Sequence, residues 1–133
     1  MSIDIILLAL LVILTLSLLV FFIIMELSKK ELDPKLVSSA NAKIKKTSDL
    51  DPTLSLIESH KIMTNTLKTL FKNKKLNSAK MLNKVSKNFK DEKEFWHYHR
   101  MRNRAAHEDD FKVSKADAQK ARKIFQDALK TVV

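Results

Sequence analysis

The chain has 133 residues, with 25 Lys or Arg against 15 Asp or Glu, for a formal charge of +10. Cysteine is absent, which excludes a disulfide framework, a thiolate metal site and a thiol nucleophile. Glycine is absent too, which excludes glycine-dependent phosphate loops and leaves helix ends to Asn or to frayed turns.

Residues Ile5 to Met25 are twenty-one positions without a charge, a proline or a glycine. At about 1.5 Å rise per residue they span a hydrocarbon core. Seventeen of them are Leu, Ile, Val or Phe, and on an insertion scale they contribute roughly −5 to −10 kcal/mol. The hydroxyls of Thr15 and Ser17 do not reverse that. A cleaved signal needs a basic start, a shorter apolar stretch and a small-residue cleavage site. Here the start is Met-Ser-Ile-Asp and the exit Met-Glu-Leu-Ser-Lys-Lys, which reads as an uncleaved anchor in the lipid bilayer through residues 5–25. No basic residue precedes the span, while Lys29, Lys30, Lys35, Lys43, Lys45 and Lys46 follow it. The expectation is a single-pass protein of the cell membrane, its N-terminus outside and its C-terminal body cytoplasmic. Beyond Asp4 the charge is +11, which attracts either anionic lipid or nucleic acid, or simply keeps a lysine-rich surface soluble.

Asp33-Pro34 and Asp51-Pro52 each offer a capping carboxylate followed by a residue preset for the first helical turn. Between them Leu36, Val37, Ala40 and Ile44 give a short, weakly apolar helix, and Lys45 to Leu50 reads as a polar connector. A stronger helix runs from Pro52 to about Lys72, with Leu56, His60, Met63, Leu67 and Leu70 on one face. His60 there reads as a neutral core residue. Asn73 to Asn77 breaks the pattern. From Ser78 to Phe89, Leu82, Val85 and Phe89 lie opposite Lys80, Lys84 and Lys87, a basic amphipathic helix. Residues 68–90 hold eight lysines and no acid, either a solvated face or a contact for lipid or RNA backbone. Asp91 with Glu94 resembles a capping box opening a helix over Glu92 to about Ala106, and Ser114 with Asp117 opens the last. In that last helix Ala118, Ala121, Phe125, Ala128 and Val132 form a narrow packing face. No strand-like alternation competes. The expected fold is all-α: an anchor over 1–27, a basic juxtamembrane stalk with a short helix over 28–50, and a small antiparallel helical bundle over 51–133. A body this small is helped by pairing with a second copy.

The segment Phe95-Trp-His-Tyr-His-Arg-Met-Arg-Asn-Arg-Ala-Ala-His-Glu holds three of the four histidines and the only Trp and Tyr. His97 and His99, two apart, point to different sides of a helix, so no metal site and no cofactor are expected. Phe95 and Trp96 read as core or dimer-contact aromatics, with base stacking as the alternative. Arg102, Asn103 and His107 take the form R-N-x-x-x-H, with Leu56-Ile57-Glu58 in an upstream helix and Ser-Lys-Ala-Asp-Ala opening a final one. In these features residues 50 to 133 resemble the HEPN superfamily of helical-bundle proteins. The resemblance implies a metal-independent endoribonuclease acting as a homodimer on RNA, with His107 moving a proton at the 2′-hydroxyl or the leaving group, and Arg102 on the phosphate.

Those residue types suit that chemistry. Imidazole takes or gives a proton near neutrality, and guanidinium makes a two-pronged bond to phosphate oxygens. Asn103 would orient the scissile strand or the histidine. On an ideal helix the Arg102 and His107 side chains stand about 140° apart. A twofold dimer, or a helix end that unwinds before His107, would bring them together. Glu58 is the expected internal partner of Arg102. The competing reading is a non-catalytic module that dimerises or binds a protein partner, held against anionic lipid by its lysines.

Overall fold

The charge-free run folds as one continuous helix, α1 (Ile3–Leu27), in the computed structural model, which describes residues 2–29, 31–71 and 75–132. The helix is long and apolar enough to cross a membrane. Its two internal hydroxyls bond back to their own helix, Thr15 Oγ1 donating to Val12 O at 2.9 Å and Ser17 Oγ to Leu14 O at 2.8 Å. Neither hydroxyl hydrogen is left for hydrocarbon to solvate, which a span requires.

Residues 31–133 form a second unit, built of α2 (Pro34–Lys46), α3 (Pro52–Lys68), α4 (Ser78–Val85), α5 (Glu92–His107) and α6 (Lys115–Lys130). Single 3₁₀ turns follow α2, α3 and α4, and no strand occurs among the described residues. Every helix of this unit opens on a polar residue whose side chain supplies a free N–H of the first turn with an acceptor. Asp33 accepts from Lys35 N, Asp51 from Thr53 N and Leu54 N, Asn77 from Lys80 N, Asp91 from Glu94 N and Ser114 from Asp117 N. The serine also donates to the Asp117 carboxylate at 2.9 Å. Of the expected break at 73–77, positions 73 and 74 lie outside the described residues, as does Lys72 at the expected end of α3. Leu70, expected on the α3 face, sits partly buried in the following 3₁₀ turn.

The core is made by α3 and α6, the most extensively packed pair, with α2 and α5 against them. Ala118, Ala121 and Ala128 keep the α6 face small so that α3 comes close, while the fully buried Phe125 meets Phe95 edge-on at 6.2 Å between ring centres. Leu32, Val37, Ala40 and Ile44 are core residues as well. The segment read as a stalk over 28–50 is therefore part of the body from Glu31 onward. Three bonds hold it there: Leu32 N donates to Val132 O at 2.7 Å, Gln126 Nε2 to Asn41 O at 3.1 Å, and Thr47 Oγ1, whose own proton goes to Ile44 O at 2.7 Å, meets Ser55 Oγ at 3.1 Å. The last belongs to a buried polar line that crosses three elements. Arg122 Nη1 donates to Ser55 Oγ at 2.8 Å, and Ser55 in turn donates to Thr47, because the Thr47 proton is already committed.

Candidate functional site

The motif residues stand on α5, and the periodicity of that helix sorts them. Phe95 and Tyr98 are buried against the core, His99, Arg102 and Asn103 are half-buried one step round the cylinder, and His97, Arg100, Arg104 and His107 are exposed. The helix is continuous through His107, its last residue. The helix therefore does not unwind before His107. Within one copy, Arg102 and Asn103 line a groove between α3, α4 and α5, and His107 is not part of its wall.

The groove has a hydrogen-bonded floor that sequence reasoning did not anticipate. His60 Nε2 and His99 Nδ1 lie 2.9 Å apart, His60 Nδ1 faces Thr64 Oγ1 at 3.4 Å, His99 Nε2 faces Asn103 Nδ2 at 3.3 Å, and Arg102 Nη1 donates to Asn103 Oδ1 at 3.2 Å. The arginine sets the direction of the whole line, because guanidinium only donates. The Asn103 oxygen must face Arg102, so its NH₂ donates to His99 Nε2. His99 is then protonated at Nδ1 and donates to His60 Nε2, and His60, protonated at Nδ1, donates to Thr64. Five side chains form one line with a single polarity and both imidazoles neutral.

Electrostatics agree with that assignment. Burial, then His99, then Arg102 push His60 down to about 3, and burial, Arg102 and Arg100 lower His99. A buried imidazole beside a fixed cation resists a second positive charge. Ring packing locks the pair further: His60 meets Phe125 edge-on at 5.3 Å, and His99 lies between Phe95 at 6.2 Å and Trp96 at 5.1 Å. His60 is the neutral core residue the sequence suggested, with a bonding role added. The available signal was the spacing of His99 three and four residues before Arg102 and Asn103, but its partner lies 39 positions away on another helix.

Glu58 is not the partner of Arg102. It pairs with Lys61 at a loose 3.9 Å on the surface, because it stands about 160° around α3 from His60, the residue that faces α5. Among the described residues, Arg102 Nε is buried with no hydrogen-bond partner at all. His107 is followed by Glu108, whose carboxylate is gripped from the side by Arg104, Nε to Oε1 and Nη2 to Oε2 both at 3.1 Å. The bond to Arg104 holds the Glu108 carboxyl below its usual range, and the same guanidinium covers the Phe111 ring at 4.2 Å. That clamp fixes the turn after His107 and sets a cation against the first of the three acids there. Lys80 and Lys84 form the exposed side of α4, and Lys87 is exposed in the 3₁₀ turn after it, all three away from the groove wall.

Comparison with protein-family models, curated proteins and solved structures finds no match to this chain. The site is therefore read from its own residues.

Proposed function

We propose that the protein is a membrane-anchored, cytoplasm-facing endoribonuclease of the HEPN type, independent of metal and active as a twofold dimer. The observation that carries the reading is the division of labour along α5. Arg102 is half-buried and bonded to Asn103, while His107, five residues on along the same unbroken helix, is exposed. Two copies related by a twofold axis place the imidazole of one beside the guanidinium of the other, and each composite site then has a phosphate ligand and a proton-transfer group. Arg102 binds the nonbridging oxygens of the scissile phosphate and stabilises the charge that grows on them. His107 takes the 2′-hydroxyl proton as that oxygen attacks phosphorus, or returns a proton to the departing 5′-oxygen, giving a 2′,3′-cyclic phosphate end. Asn103 acts through Arg102 and His99, as an orienting residue.

Residues 5–25 hold this body at the bilayer, and the lysines that follow the span keep it on the cytoplasmic side and near anionic lipid. The exposed lysine side of α4 also suits the second reading, a non-catalytic module that dimerises or holds a protein partner at the membrane. The full chain in neutral detergent micelles, given single-stranded RNA in the presence of EDTA, is expected to produce cyclic-phosphate ends. Intact RNA under those conditions leaves the second reading.

A further inference from the structure

The α3–α5 groove carries a charge pattern that the fold itself does not need. Its described lining includes three cations, Lys61, Lys68 and Arg102, and no Asp or Glu. Its volume of about 350 Å³ is near the lower end of small-molecule sites, roughly 300–1,000 Å³, with room for a phosphate and about one nucleoside. A larger hollow of about 550 Å³ between α5 and α6 makes the contrast, since Asp91, Glu94 and Asp127 there balance Lys90, Lys120 and Lys123. A further hollow of about 590 Å³, with Lys45, Lys120, Arg122 and Lys123 in its lining, is also free of acids, but it holds neither the histidine pair nor Arg102.

Arg102 adds a second and independent observation. Asn103 occupies its Nη1, and its Nε, shielded from solvent, has no acceptor among the described residues. A charged donor left so is costly, and it leaves the outer guanidinium nitrogens to meet a phosphate or carboxylate in the groove. The neutral histidine pair beneath contributes no charge but holds the guanidinium in place through Asn103. Lys61 and Lys68 are two turns apart on the same side of α3, flanking Thr64, and among the described residues Lys61 is engaged only in the loose surface pair with Glu58.

We infer that this groove is a nucleotide-phosphate site, in which the outer guanidinium nitrogens of Arg102 bind the phosphate and Lys61 and Lys68 flank it. The inference rests on the reading of Arg102 as a phosphate ligand and makes no use of His107. The phosphate belongs to a free nucleotide or to one unit of a single strand, and the chemistry of recognition is shared.

The test reads His99 by NMR in the full chain in neutral micelles, titrated with adenosine 5′-monophosphate in one arm and with an uncleavable 2′-O-methyl oligonucleotide in the other. A phosphate on Arg102 offsets the cation that lowers His99, so bound ligand moves the His99 titration to higher pH. Arg102→Gln weakens binding by at least about tenfold and abolishes the ligand-dependent shift. The exposed pair Lys61→Gln and Lys68→Gln weakens binding about three- to tenfold without touching the histidines. A shift with either probe supports the site and tells whether free nucleotide or strand is its ligand. No shift with both probes, or a shift that survives Arg102→Gln, overturns it. Intact RNA together with a His99 shift removes the ribonuclease reading alone, whereas RNA cleavage with an unmoved His99 removes the nucleotide groove alone.

Discussion

His107→Ala is expected to slow RNA cleavage by about 10²–10⁴-fold, the usual share of a positioned acid–base group, while leaving the fold untouched. The structural half of that expectation comes from its position. His107 is exposed at the last residue of α5, and the turn beyond it is held by Arg104, Glu108 and Phe111 rather than by the imidazole. Surface substitutions of this kind change stability by no more than about 0.5 kcal/mol. The melting temperature, followed by Trp96 fluorescence, therefore stays where it is as cleavage disappears. A melting temperature that falls together with the rate would assign His107 to structure instead.

Acid is expected to unfold the body through His60, and the sign follows from its lowered proton affinity. The folded state holds this imidazole neutral down to about pH 3, whereas the unfolded chain takes up a proton near 6.5. Between those values the unfolded state binds more protons. Stability is therefore full above about pH 6.5 and is lost by about 1.4 kcal/mol for each pH unit below it, until His60 protonates in the folded chain as well. The total is on the order of several kcal/mol, a large part of what a small domain has. His99, lowered for related reasons, acts in the same direction. Urea midpoints measured from pH 7 to pH 4 should fall steeply for the wild type and more gently for His60→Gln, which begins less stable at neutral pH but has no imidazole to charge. Parallel slopes in the two proteins would contradict the neutral histidine pair.

Most of the helical framework was legible because its signals are local. A run of twenty-one uncharged residues, four capping residues with their free N–H partners, and the spacing of Leu56, Met63 and Leu67 each act within a turn or two of themselves. The failures came where the decisive contact lies on another helix. Val37, Ala40 and Ile44 looked too few for a core element, yet α6 and α3 cover them and the Leu32 to Val132 bond closes the unit. Glu58 was assigned to Arg102 by charge, although rotation about α3 turns it away from α5 and puts His60 there. Arg102, Asn103 and His107 were picked out as a set from one short motif. That Arg102 and Asn103 belong to a line running through His99 and His60 to Thr64 depends on the α3–α5 packing, which the motif does not encode.

Mixed dimers test the composite site most directly. Arg102→Gln and His107→Ala each remove one half of every site, so either protein alone should leave RNA intact. Exchanged in equal amounts, they form heterodimers in which one site carries both lesions and the other carries none, and about a quarter of the wild-type cleavage should return. A mixture as inactive as its two parents, with all three preparations folded and dimeric, would contradict catalysis shared between Arg102 of one copy and His107 of the other.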